Sequence, residues 1–269
     1  MFSNKYIDKS DSDSDSEYER KKKRKQYKPR EIDIKLPRHI LVMPNPDKLN
    51  HEKYQPGQNP IRFPTPFRCC IIGLPNAGKS LLSTNILLAR QSQPPNKFEE
   101  VFIVHGCETS AEYDDIEPTD ILTEIPSYLE FSSDTNKLMI IDDYDYTKID
   151  KDSARRLSEL VRFGSSHCNM SLIFTYQSFF RLPKLVKDMC NVIILYKPHD
   201  IDERKTIGRR VGLNKDEASY LFDTYLIEPT DSLIINMISK APYVLGKNLY
   251  EPIDDPKINH SLNLKSQKS

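Results

Sequence analysis

Between the apolar run Cys69–Ile72 and a stretch in which Leu82, Ile86 and Ala89 recur at helical spacing lies the segment Gly73-Leu74-Pro75-Asn76-Ala77-Gly78-Lys79-Ser80. It fits the pattern G-x-x-x-x-G-K-[ST], and a strand before it with a helix after it is the setting in which that pattern has physical meaning. Glycines let the backbone curl so that consecutive N–H groups point inward, and the first turn of the helix adds the positive end of its dipole. Such a loop cradles the phosphates of a nucleotide. Gly73 through Ser80, together with the next residue Leu81, are therefore the expected nucleotide-binding positions. Lys79 would reach the terminal phosphates and the Ser80 hydroxyl would ligate magnesium, so ATP and Mg2+ are the expected cofactors. Pro75 removes one backbone donor, which leaves Asn76 or Ala77 to supply the missing N–H contact.

The rest of the chain repeats the same alternation. Strands are expected at Cys69–Ile72, Glu100–His105, Lys137–Ile141, Met170–Thr175 and Asn191–Tyr196, separated by helices at Lys79–Arg90, about Asp152–Phe163 and around Lys184. Two further helices follow, Ile201–Val211 and Lys215–Thr224. A last strand pair, Ser232–Ile238 and Tyr243–Leu245, turns around Lys240. Short buried strands separated by amphipathic helices predict an α/β domain: a mostly parallel central sheet flanked by helices on both faces.

The ends differ from this middle. Residues 1–30 run from the acidic serine repeat Asp11-Ser12-Asp13-Ser14-Asp15-Ser16 into the basic block Arg20-Lys21-Lys22-Lys23-Arg24-Lys25, a composition that predicts disorder. The basic block reads as a solvating tail, an import signal or a sequence-blind grip on phosphates. Residues 31–61 are crowded with prolines and are expected as an extended arm. The nucleotide-binding domain is expected over 62–250, with a flexible basic tail over 251–269. Thirty-nine Lys and Arg balance thirty-nine Asp and Glu, so attraction to a polyanion would have to be local. Five cysteines without metal-ligand spacing point to a reducing compartment. No apolar run reaches the length of a membrane span, so none is expected.

Two features carry the chemistry beyond the phosphate loop. The strand Lys137–Ile141 ends in Asp142-Asp143, and ligands in sheets of this kind lie at the carboxyl ends of strands. Asp142 would hold magnesium, while Asp143 would orient and deprotonate the attacking water, with Asp145 as the alternative base. Gln177 follows a strand expected to lie beside the phosphate-loop strand, where an amide can touch both the γ-phosphate and that water. Gln177 also weighs against a nucleotide or nucleoside kinase, the alternative reading. In that reading Arg204, Lys205, Arg209 and Arg210 would form a lid; they read more simply as a solvated helix face. A non-catalytic nucleotide-binding module is opposed by the intact Lys79, Ser80 and Asp143.

Taken together, Thr65-Pro66-Phe67-Arg68-Cys69-Cys70-Ile71-Ile72-Gly73, the double-Asp strand, Phe163-Gly164 through Asn169, and Gln177-Ser178-Phe179-Phe180-Arg181-Leu182-Pro183 resemble one family. It is that of the genome-packaging ATPases of large DNA viruses, the poxvirus-like branch of the FtsK-HerA P-loop superfamily, and the likeness spans about residues 62–245. The resemblance implies a RecA-like P-loop nucleoside triphosphatase core assembled as a homo-oligomeric ring. It further implies ATP-driven translocation of double-stranded DNA, gripped without reading sequence, into a preformed capsid, with capsid or portal-vertex proteins as partners. The implied location is the host cytoplasm (virus factory), the nucleus or the virion. Family members often carry an Arg directly after the Phe-Gly pair, where it acts on a neighbour's nucleotide; Ser165 and Ser166 stand there in this chain. Arg162 is the chosen substitute, with Arg155, Arg156 and Arg181 as others, against a reading in which Arg162 is one polar member of its helix.

Overall fold

A computed structural model describes residues 66–91, 97–105, 113, 116, 118–198, 200–238, 244–249, 251–258 and 261. The tail expected over 1–30 and the arm over 31–61 lie outside the described residues.

Nine strands form one sheet: β1 (Arg68–Ile72), β2 (Glu100–His105), β3 (Asp120–Leu122), β4 (Lys137–Asp142), β5 (Met170–Tyr176), β6 (Val192–Tyr196), β7 (Ser232–Asn236), β8 (Leu245–Lys247) and β9 (Glu251–Pro252). Their spatial order is β3-β2-β4-β5-β1-β6-β7-β8-β9. Pairing is parallel from β3 through β6 and antiparallel from β6 to β9. The helices are α1 (Lys79–Gln91), α2 (Lys151–Glu159), the short α3 (Ser165–His167), α4 (Lys184–Met189), α5 (Ile201–Val211) and α6 (Lys215–Tyr225).

Side chains alternate across a strand, so each buried strand feeds two cores. Cys69, Ile71, Leu138, Ile140, Ile173, Val192 and Ile194 face α1, where Leu82, Ile86 and Leu87 cover them. Cys70, Ile72, Met139, Ile141, Leu172, Phe174, Ile193 and Leu195 face the other way, under Leu157 of α2, Val186 of α4, Ile207 of α5 and Leu221 and Phe222 of α6. Burial on both faces explains why these strands read as unbroken apolar runs.

Local chemistry sets the helix ends. The Asp150 carboxylate accepts from the amides of Asp152 and Ser153 to start α2, and Asp200 accepts from Asp202 N to start α5. Gly212 ends α5 at φ 94°, and Asn214 opens α6 in a reciprocal cap with Glu217. The helix pair α5–α6 is close: a Cβ on Gly208 would stand 2.5 Å from Ala218 Cβ.

Four expectations are corrected. The helix expected to run to Phe163 leaves α geometry earlier and passes through a π turn, Leu160–Gly164, before α3. That turn lets Leu160 and Val161 both enter the core and brings the Ser165 hydroxyl to Met170 O at 2.9 Å. Strand β7 stops at Asn236 rather than Ile238, because the Asn236 side chain accepts from Ile238 N at 3.2 Å and starts a turn. Its partner is Leu245–Lys247; Lys240 and Tyr243 lie outside the described residues. The domain does not end at 250, since Ile253 and Ile258 are buried and Asp255 accepts hydrogen bonds from Tyr220 and Tyr225 of α6, both at 3.0 Å. The short strands β3 and β9 were not expected at all.

Candidate active site

The phosphate loop is shaped by its neighbours as much as by its glycines. Gly73 N donates to Tyr176 O at 3.1 Å, which ties the loop to the end of β5. A Cβ at Gly73 would lie 2.8 Å from the Tyr196 ring, so only glycine lets β6 end this close. Asn76 and Gly78 take left-handed backbone conformations, at φ 63° and 95°. The Tyr196 hydroxyl donates to Gly78 O at 3.1 Å, and burial pushes that phenol well above its ordinary titration range. Ala77 N donates to Leu74 O at 3.2 Å, so of the two amides expected to make good the donor lost at Pro75, this one is engaged within the loop. Lys79 is buried and folds back over the loop, its Nζ donating to Leu74 O at 3.1 Å. The flanking Leu74 and Leu81 are exposed.

Strand register brings the acid end to the same place. Ile141 pairs with Phe174, which sets Asp142 beside Thr175, and Ile71 pairs with Thr175 on the other side. By alternation Asp142 and Thr175 point to the face that carries α1, the helix that bears Ser80. Ser80 Oγ donates to Asp142 Oδ2 at 3.3 Å. The Thr175 hydroxyl donates to the other oxygen of Asp142 and accepts from Asp143 N at 2.9 Å. Asp143 follows the strand at φ 45°, a conformation uncommon outside glycine, and its Oδ2 accepts from Gln177 Nε2 at 3.3 Å. Asp142 is buried while Asp143 and Gln177 are exposed. The result is one chain of contacts from Ser80 through Asp142, Thr175 and Asp143 to Gln177.

The hydroxyl of Ser80 and the carboxylate of Asp142 suit a small hard cation, which takes one or two protein oxygens and completes its shell with phosphate oxygens and water. Asp145, the alternative base, is turned into its own loop. It accepts from Thr147 Oγ1 at 2.6 Å and lies 3.1 Å from Lys148 Nζ, and the Thr147 hydroxyl, then Lys148, hold its carboxyl below the usual range.

The arginines divide. Arg155 pairs with Asp152 at 2.8 Å and Glu159 at 3.2 Å; Arg156 pairs with Asp152 at 2.9 Å. Arg162 is exposed within the π turn, and Arg181 is exposed just past β5. Helix α2 leaves the carboxyl edge of β4 and returns to the amino edge of β5, so Arg162 stands at the end of the sheet away from its own phosphate loop. The structure does not bring it together with Lys79, Asp143 and Gln177.

Three residues of this neighbourhood escaped the reading of the sequence. Thr175 carried a signal, as a polar residue within β5 on the same face as Gln177 two positions on. Tyr196 carried less, being one more aromatic residue at a strand end. Glu203, whose Oε1 accepts from Ser178 Oγ at 2.9 Å and from the amides of Phe179 and Phe180, carried none, because its partners lie more than twenty residues away.

The glycine loop between β1 and α1, the acid end of β4 and the strand inserted between them define the class: a P-loop nucleoside triphosphatase fold. Among solved structures, B204, the DNA-packaging ATPase from Sulfolobus turreted icosahedral virus, matches with a TM-score of 0.50 at 16% identity, over 71% of this chain and 100% of that one. B204 from Sulfolobus turreted icosahedral virus 2 in complex with ATP-gammaS gives 0.48 at 13% identity, over 70% and 98%. The cytoplasmic domain of the Thermomonospora curvata type VII secretion ATPase EccC gives 0.48 at 14% identity, over 84% and 33%. At these identities the likeness is one of fold. No protein-family model and no curated relative matches the chain.

Proposed function

We propose that the protein is an ATP-driven translocase of double-stranded DNA that packages a viral genome. The observation that carries the first half of this reading is the contact chain Ser80-Asp142-Thr175-Asp143-Gln177 beside the phosphate loop. In it Lys79 and the loop amides would hold the phosphates, and Ser80 and Asp142 would hold Mg2+, whose charge would offset that developing on the transferred phosphoryl group. Asp143 orients the attacking water and takes its proton. Gln177 bridges that carboxylate and the γ-phosphate. A fixed carboxylate and amide at the point of attack serve hydrolysis by water; a kinase would instead present an acceptor pocket there.

The DNA half rests on the likeness of the motifs to packaging ATPases, with the fold in support. Of the four residues that a kinase lid would use, Arg204, Lys205 and Arg210 pair with Asp223 at 3.1 Å, Asp202 at 2.7 Å and Asp188 at 2.8 Å, while Arg209 donates to Lys205 O and Thr206 Oγ1 of its own helix, both at 3.3 Å. Assembly as a ring would place Arg162, or Arg181, against the nucleotide of a neighbouring copy, and capsid proteins would be its further partners.

The experiment is ATP hydrolysis by the purified protein with Mg2+, with and without long duplex DNA. DNA should stimulate turnover, and Lys79→Ala or Asp143→Asn should lower it by about 100-fold or more, the scale lost with one preorganised transition-state contact. Turnover that ignores DNA but appears on adding a nucleoside or nucleotide acceptor would replace this reading with the kinase.

A further inference from the structure

Gln177 is exposed, one residue past the end of β5, where the strand's pairing no longer continues. The next residues form a single 3-10 turn, Phe179–Arg181. A turn that short cannot fix its own position by hydrogen bonding alone.

Helix α5 supplies the fixation. Glu203 is 5% exposed, and one of its oxygens accepts from Ser178 Oγ at 2.9 Å, from Phe179 N, and from Phe180 N at 3.3 Å. Three donors from three consecutive residues thus converge on one buried carboxylate oxygen. Two helical turns further along the same face, the Arg210 guanidinium lies 5.0 Å from the centre of the Phe179 ring, and Lys187 Nζ of α4 lies 5.8 Å from it. The buried Phe179 is therefore gripped by its backbone at one end of α5 and by its ring at the other. The same helix follows β6, whose last residue Tyr196 donates to Gly78 O of the phosphate loop.

We infer that Glu203 is a positioning residue for Gln177: by holding the 178–180 turn it sets the Gln177 amide against Asp143, and ties the amide that senses the γ-phosphate to helix α5. The inference rests on the proposed role of Gln177. A buried carboxylate is costly to keep in a core unless its hydrogen bonds are made, and here they are made to the residues that follow Gln177. Reacting groups lose effectiveness steeply when displaced by an ångström, so slack in this turn should appear in the chemical step and not in nucleotide binding.

The test is a double-mutant cycle on the full chain, measuring Mg-ATP turnover in the presence of long duplex DNA, ATP-gammaS affinity and thermal midpoint. Glu203→Ala should lower kcat by about 10- to 100-fold while KM and ATP-gammaS affinity stay within a few-fold. Glu203→Gln keeps an acceptor oxygen and should recover most of that loss. In a Gln177→Ala background, Glu203→Ala should cost little more, because the group it positions is already gone. An equal loss in both backgrounds would show that Glu203 acts on something other than Gln177 and would overturn the inference. So would a fall in kcat that merely follows the thermal midpoint and is not recovered by Glu203→Gln. Should Glu203→Ala fail to fold, Ser178→Ala, which removes one of the three donors to Glu203, carries the same comparison in the two backgrounds. Failure of the underlying reading has its own signature: Gln177→Ala alone would turn over ATP like the unaltered protein.

Discussion

Thr175 shows how much one hydroxyl can organise. It donates to Asp142 and accepts from Asp143 N, so it links the carboxylate that faces Ser80 to the backbone of the one that faces Gln177. Removing it leaves a buried carboxylate short of a donor and a left-handed backbone short of its anchor. Thr175→Val, equal in shape, should cost about 1–3 kcal/mol of folding stability, the penalty for orphaning buried polar groups. It should also lower ATP turnover, and Thr175→Ser should restore both; chemical denaturation and steady-state hydrolysis measure the two. That Lys79, Ser80, Asp142, Asp143 and Gln177 would gather at one end of the sheet was legible from the chain, because each sits at a fixed offset from a strand end or a glycine. Thr175 was legible only through strand alternation, and Glu203 not at all, since side-chain contacts between distant segments leave no trace in local spacing.

Elements were legible where burial was complete. The boundaries of β2 were anticipated to the residue and α5 was expected at about the place it occupies, because an apolar run or a helical period stops there against a charge or a glycine. The π turn was not, because Leu160-Val161-Arg162-Phe163-Gly164 continues a helical pattern while the core asks for two adjacent apolar residues at once. Strand β3 was invisible for the opposite reason: Asp120–Leu122 is an edge strand with half-exposed side chains and no apolar run to announce it. Close approach between elements gives a prediction at this scale. A methyl group at Gly208 meets Ala218 Cβ at 2.5 Å, so Gly208→Ala should force α5 from α6 and destabilise the domain by about 1–3 kcal/mol. Adding Ala218→Gly should recover most of that, read as a return of the urea midpoint with unchanged slope.

For the molecule as a whole, the segment after β8 belongs to the folded domain. Ile253 and Ile258 join the core between the sheet and α6, so Ile258→Ala should cost about 2–5 kcal/mol, the range for emptying a buried isoleucine site, as measured by urea unfolding. A basic composition after residue 256 had suggested a tail, and two isoleucines separated by polar residues are too sparse a pattern to contradict that in one dimension. Net charge speaks at this scale too. With formal charges in balance, any hold on duplex DNA must come from local phosphate contacts. Affinity for long duplexes should therefore fall steeply between about 50 and 200 mM salt while showing no preference among base sequences, a pattern that a filter or anisotropy titration would reveal.

The margins of the sheet limit how copies of this chain can meet. As described, one margin is a three-residue strand that begins with Asp120, and the other a two-residue strand that ends in Pro252, which has no amide hydrogen to offer. Short, charged or proline-bearing margins are poor templates for backbone pairing between molecules. Copies of this chain, were they to meet, would thus be steered away from stitching their sheets into a continuous ribbon and toward contact through side-chain surfaces, which can slide and rotate without unravelling hydrogen-bonded backbone. In a ring of the kind proposed above, joints of that sort would open and close without breaking a sheet.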